Sequence, residues 1–577
     1  MLSTTLLTFI NEEYADEKAK GHHTIEPDEN KLNALNPIDR EQAMFIRDIM
    51  SMGFKDDENR FVPFLVFANG ESTFSVDRIT DENWLFISEL SQVNVPLILS
   101  ARLFDLLWVV KHNYQAAKRA IDTYKELYTL SFDLDHWTVC ERNIIRALGI
   151  AVAIGKKSKE FKSMCLFLDS ELRKIDGSDQ SFFSLRLIED MKAYSACKNG
   201  SLYVSLLDKI ISKSGNDLRK IENAYELKLS FVRKDILATR QCHQEFASFY
   251  SEYANTFDEE SYYAISSKVQ LLGKAVQEYR EASDDGNAQK LIVEISRIQK
   301  KIPKLMGSIS LPLPLTEKDY MEVFGLIENR PFGDAIQFLT SFVHFQNKAK
   351  IKSKIIKAEN NFFSTRMLTI DVIDEYGRTV AKIPSLDPLN PENDPTVLEK
   401  HMHKEACFLE SIEGMLATPL FEKICRSFQP SENEIRDLIK DCVLIPKDRL
   451  GVFVSALKLA FSEEIYLASH ILAPQMENLF RYIAEQVGDI VITFDNEQVT
   501  HIKPLRPIFN LPNLRECFDN NILFTFQGLL NEPTGANIRN VIAHGIMSPS
   551  EASGSSLLIY FICIVLKLLT ENYTSEE

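Results

Sequence analysis

Seven residues near the C-terminus of this 577-residue chain, Arg539-Asn540-Val541-Ile542-Ala543-His544-Gly545, hold the side chains best suited to chemistry. Wound as an α-helix at about 100° per residue, Ile538, Val541, Ile542, Gly545 and Ile546 fall on one side. Arg539, Asn540 and His544 fall on the other, with the small Ala543 between them. A permanently charged fork, an amide and an imidazole that titrates near neutrality then share one face. Such a set suits a phosphodiester, because Arg grips phosphate oxygens bidentately and His moves the proton. Gly545 is expected to let the apolar side pack closely. Arg539 and His544 are separated by roughly 7.5 Å along the axis and roughly 140° around it. A site that uses both is easier to build from two facing copies of the helix, so a homodimer is expected.

Arg, a polar residue, an apolar spacer and His resemble the RxxxxH motif of HEPN domains, helical bundles found in many ribonucleases and toxins. The fuller RNxxxHG string is similar to that of a bacterial and eukaryotic domain of unknown function. His470-Ile-Leu-Ala-Pro474-Gln475-Met-Glu477-Asn-Leu-Phe-Arg481 also resembles that family, and Leu99-Ser-Ala101-Arg102-Leu-Phe-Asp105-Leu-Leu-Trp108 does so more loosely. The resemblance covers the chain from about residue 446 onward. It implies Arg539 as phosphate binder, Asn540 as polar support and His544 as acid/base. It also implies RNA cleavage without metal or other cofactor, at a dimer interface, in a defence or toxin setting, leaving a 2′,3′-cyclic phosphate. The other reading is a helical interaction or RNA-binding scaffold that keeps the fold without catalysis.

The elements around the motif follow from periodicity. Met476, Leu479, Phe480, Ile483 and Val487 form an apolar stripe on a helix that Pro474 starts or kinks. Glu477 and Arg481 sit at i,i+4 on it, either as a helix-stabilising pair or as supports that hold Arg539 or His544. Pro533-Thr534 is expected to open the motif helix, and the nearly all-apolar final helix to pack as its partner. Ile490–Phe494 and Val499–Ile502 read as a hairpin, as does 367–383 turning at Glu375-Tyr-Gly377. Phe61–Phe67 and Ser72–Val76 flank Asn69-Gly70, a third hairpin signal.

The fold expected is mainly α: an α-solenoid-like N-terminal array, then a HEPN-like bundle with a β-hairpin insertion. Residues 1–80 form a polar segment with a small hairpin and one helix from Asp39. Residues 81–305 form the array, 306–445 a middle helical region after a stiff linker at Leu311–Thr316, and 446–577 the bundle. The N-terminal helices are expected to meet a regulatory protein or trigger.

Composition restrains these readings. A formal charge of −17 is unlike that of a nucleic-acid binder, whose affinity comes from Lys and Arg. From Pro446 onward nine Lys plus Arg face fifteen Asp plus Glu, so RNA contact must be local. The most basic run, Lys348–Lys357, offers Lys350, Lys352 and Lys354 as a guide for RNA, or simply a solvated helix face. Nine Cys without CxxC spacing read as reduced core thiols of a cytoplasmic protein. His401, His403, Glu405 and Cys407 spread over several faces of a helix, so no metal site is expected. The N-terminus lacks a basic signal region, and Leu557–Leu566 is too short to span a bilayer. No GxSxG, HExxH or phosphate-cradling Gly loop is present, and Cys242-His243 cannot form a dyad on one face.

Overall fold

The computed structural model describes residues 2–16, 26–55, 58–67, 70–134, 136–179, 182–307, 316–357, 368–549 and 552–574. Helices dominate, and the described strands pair only as three two-stranded antiparallel sheets. The chain divides into two units, Met1–Ile295 and Ser296–Glu577. Apart from Thr316, the expected linker lies outside the described residues.

Unit 1 is a helical array in which many helices pack on the next: Leu97–Lys111 on Tyr114–Ser131, that on Thr138–Ile154, and Ile236–Ala254 on Tyr262–Glu281. Polar caps start these helices. Asn113, Ser158 and Asp235 each accept backbone N–H groups of the first turn, removing donors the helix cannot satisfy itself. The N-terminal segment holds more structure than its polarity suggests. Thr4–Glu13, Glu29–Asn33 and Pro37–Ser51 are helices, and Leu6, Ile10 and Tyr14 are fully buried. One apolar cluster runs from Leu6 to Ala116, so no core boundary falls near residue 80. The first hairpin also differs from expectation. Phe61 pairs back with Phe54 in a sheet of Gly53–Lys55 and Arg60–Val62, leaving one bridge, Val66 to Ser72, around the expected turn. Asn69 lies outside the described residues.

Unit 2 is built on one large core from Ile327 to Leu566, which crosses the boundary expected near 445, with a smaller cluster of Ile351, Leu398, Met402 and Phe524 beside it. Ser555–Leu566 of the final helix Ala552–Thr574 is buried throughout. That helix packs on Phe332–Thr340, on Ile465–Gln486 and on the 34-residue helix Pro395–Phe428. Two hairpins appear as expected, Ile370–Ile373 with Thr379–Ile383 and Ile492–Phe494 with Thr500–Ile502. The helix carrying Glu477 begins at Ile465 rather than at Pro474 and runs through the proline. Among the described residues no helix is long and apolar enough to cross a membrane.

Candidate functional site

The motif occupies a helix of only six residues, Ile538–Ala543, rather than one that starts at Pro533. The preceding chain explains the shortness. It must pass the Asn520–Leu530 helix so closely that a Cβ on Gly535 would lie 2.3 Å from the Gly528 carbonyl oxygen. That carbonyl accepts the Asn537 N–H at 3.3 Å, and Asn537 turns left-handed (φ 53°) to start the helix. On its other side Gly528 meets His403, whose ring stacks on Phe524 with centroids 4.4 Å apart. Two glycines therefore set where the motif sits.

The helix ends at His544. Gly545 adopts φ +64° and donates to the Ile542 carbonyl, while Ile546 donates to that of Val541. This pair of bonds is a Schellman stop, which favours glycine at the left-handed position. A Cβ on Gly545 would meet nothing within 4 Å, so its role is backbone conformation and not the close packing expected of it. Ile538 and Ile542 are buried and Ala543 and His544 exposed, as the two faces read from the sequence require, but Gly545, placed on the apolar side, is exposed because the helix has ended before it. The motif helix packs on Ile465–Gln486 and Asn520–Leu530; the final helix is not its main partner.

Arg539 is anchored by a carboxylate four helices upstream. Its Nε donates to Glu477 at 2.6 Å, and its Nη1 donates to the Asn540 side-chain oxygen at 2.9 Å. The other oxygen of Glu477 accepts from Arg481 at 2.7 Å, and Arg481 also donates to the Lys503 carbonyl at 3.3 Å. Glu477 thus bridges two guanidinium groups with a side chain only 11% exposed. Asn540 is held in turn, its amide donating to the side chain of Asn537 at 2.7 Å. This fixes the plane of the Arg539 fork and leaves Nη2 with no hydrogen bond among the described residues. His544 makes no side-chain hydrogen bond among the described residues either.

His470, Glu477 and Arg481 occupy one stripe of Ile465–Gln486, within roughly 40° of each other. That stripe holds the motif at both ends. Glu477 takes Arg539 before the turn, and the hydroxyl of Tyr466 donates to the Met547 carbonyl after it at 3.3 Å. His470 lies beside Tyr466, its Nδ1 2.8 Å from that residue's carbonyl oxygen. Two polar atoms near this framework, Arg481 Nε and Thr534 Oγ1, are buried with no hydrogen-bond partner.

The basic run forms the helix Lys348–Lys357, but carboxylates of the same unit answer most of it. Lys348 pairs with Glu399 at 3.1 Å, Lys352 with Glu392 and Lys354 with Glu405, while Lys350 is exposed. Among the described residues no three His, Cys, Asp or Glu side chains are placed to hold a metal ion. In unit 1 the stretch Leu99–Trp108 turns Asp105 inward, where it takes Arg146 through two bonds of 2.6 and 2.8 Å.

Fold and site together describe a helical protein whose C-terminal unit presents a fixed arginine and an exposed histidine. Among known families, a model described as Domain of unknown function (DUF7380) matches residues 22–163, in the N-terminal unit. No curated protein and no solved structure matches the chain.

Proposed function

We propose that the chain is a metal-independent, HEPN-type endoribonuclease whose site is formed by Arg539 and His544 from two copies of unit 2. The observation that carries this reading is the Glu477–Arg539–Asn540 network. It orients a guanidinium in advance, which is what electrostatic stabilisation of a developing charge requires. Beside it, Ala543 and His544 are open to solvent, so substrate is not blocked by the protein's own side chains.

In this reaction neutral His544 accepts the proton of a ribose 2′-hydroxyl. The 2′-oxygen attacks phosphorus, the bond to the 5′-oxygen breaks, and a second His544 in its protonated form donates to the departing oxygen. Arg539 binds the non-bridging oxygens through its remaining N–H edge as negative charge builds. The products are a 2′,3′-cyclic phosphate and a 5′-hydroxyl. Two copies supply both proton roles at once. A face for the second copy is offered by the hairpin beyond Arg481, where Ile490, Phe494, Val499 and Ile502 are all about half or more exposed.

The test is cleavage of mixed RNA in chelator by wild type, His544→Ala and Arg539→Ala. Loss of at least a hundredfold in both variants is expected, with cyclic phosphate ends in the wild-type products. Intact RNA with pure dimeric protein, or equal cutting by all three, overturns the proposal. A non-catalytic scaffold is favoured by one observation, the pairing of Lys348, Lys352 and Lys354 with glutamates in a protein of charge −17. It requires RNA or protein binding that survives His544→Ala.

A further inference from the structure

Unit 1 contains a cavity of about 580 Å³, within the range of small-molecule sites. Its walls come from the first hairpin and from the helices Leu97–Lys111, Tyr114–Ser131, Thr138–Ile154 and Phe183–Ala193. Four arginines line it, Arg102, Arg142, Arg146 and Arg186, against three carboxylates, Asp105, Glu141 and Asp190. In a chain of net charge −17 a wall with excess positive charge is a local departure.

Asp105 and Glu141 are already committed, whereas the Asp190 Oδ2 is buried without a hydrogen-bond partner and burial pushes that carboxyl up to about 7. Asp105 is taken by Arg146 and by the hydroxyl of Tyr124 at 3.0 Å. Glu141 and Asp190 both face Arg186, at 3.4 and 3.5 Å. Arg102 and Arg142 are left with no carboxylate partner among the described residues. Arg102 is the deeper of the two. One of its five donors reaches the Met50 carbonyl at 3.4 Å, and its guanidinium lies 5.0 Å from the centre of the Phe61 ring. Burial holds its pKa below the usual arginine value, against the opposing pull of the nearby Asp105 carboxylate. Asp105 offsets the half-buried Arg102 charge only from a distance while it is hydrogen-bonded to Arg146, and an anion in the cavity would supply the missing direct partner.

The apolar wall narrows the choice of anion. Phe54 and Phe61 already give their faces to Arg146 and Arg102. Phe64 also lines the cavity, is 67% exposed, and makes no ring contact among the described residues. Its free face suits a planar ring.

We infer that this cavity binds a phosphate monoester carrying a planar base, of nucleoside monophosphate size, with Arg102 on the phosphate, Arg142 at the mouth and Phe64 against the base. The site is separate from the proposed ribonuclease centre and its test does not depend on RNA cleavage. Calorimetric titration of the full chain with AMP, ribose 5-phosphate and inorganic phosphate decides it. Saturable AMP binding, weakened at least tenfold in Arg102→Gln and severalfold in Arg142→Gln and Phe64→Ala, is expected. Ribose 5-phosphate should bind at least fivefold more weakly than AMP, and inorganic phosphate more weakly still. Should Arg102→Gln fail to fold, the exposed Arg142→Gln and Phe64→Ala carry the test alone. Absence of AMP binding at millimolar concentration, or binding unchanged in the soluble variants, overturns the site. Equal affinity for ribose 5-phosphate and AMP overturns the assignment of a planar base.

Discussion

Replacement of Glu477 by glutamine probes the framework of the proposed site without touching Arg539 or His544. The carboxylate accepts two charge-assisted bonds, 2.6 Å from Arg539 and 2.7 Å from Arg481, on a side chain 11% exposed. Each such bond contributes roughly 1.5–3 kcal/mol when well made. The two arginine side chains are 28% and 18% exposed, so water screens part of the loss. The amide keeps one acceptor and can still serve one arginine, while the other then faces an NH₂ group. The net cost is therefore about 2 kcal/mol, below the roughly 3–5 kcal/mol of a fully buried pair broken on one side. For a unit of this size that corresponds to a fall of roughly 3–4 °C in the melting temperature of unit 2.

Differential scanning calorimetry of wild type, Glu477→Gln, Arg539→Gln and the double variant measures the coupling directly. A double-mutant cycle should return an interaction of at least about 1 kcal/mol between the two positions. In the RNA assay, Glu477→Gln should lower kcat while leaving KM within about threefold, because a misaligned guanidinium fails chiefly when charge develops. Additive stabilities, with a coupling near zero, would refute the claim that Glu477 positions Arg539. That result would be decisive even if no RNA were cut.

Two further outcomes rest on other parts of unit 2. Burial pushes the Glu410 carboxyl up to about 8 and His403 down to about 4, so both are neutral at pH 7. The folded state then binds more protons at Glu410 than the unfolded chain and fewer at His403. Glu410 therefore costs stability as pH rises from about 4.5 towards 8, and His403 costs stability as pH falls from 6.5 towards 4. Melting temperatures across pH 6.5 to 8 should decline in wild type and become flatter in Glu410→Gln; equal slopes would contradict the burial argument. Gly545→Ala should cost about 1–2 kcal/mol, because the left-handed backbone disfavours a Cβ even where space is free. Gly545→Asn should cost less, and equal melting of both variants would contradict the Schellman assignment.

The helical class, the two later hairpins and the sidedness of Arg539, His544, Ile538 and Ile542 were legible because each follows from local periodicity or turn chemistry. The Glu477–Arg539 bond was half legible. Spacing placed Glu477 and Arg481 together on one helix, but whether the carboxylate also faced an arginine 62 residues away depended on packing. The basic run failed as a guide for the same reason, since Glu392, Glu399 and Glu405 reach it from a long helix and its approach. The length of the motif helix was illegible because its start is set by backbone against backbone. Nothing in Pro533-Thr534-Gly535-Ala536-Asn537 announces that Gly528 will lie across it, and the propensity of that segment argues only weakly either way. A six-residue helix contributes little stability of its own, since short helices are marginal without tertiary support. Its side chains are therefore as well placed as the groups that grip it, Glu477 at one end, Tyr466 near the other and the two glycines behind. Of the groups that grip it, the sequence singled out Glu477 as a support but neither Tyr466 nor Gly528 and Gly535.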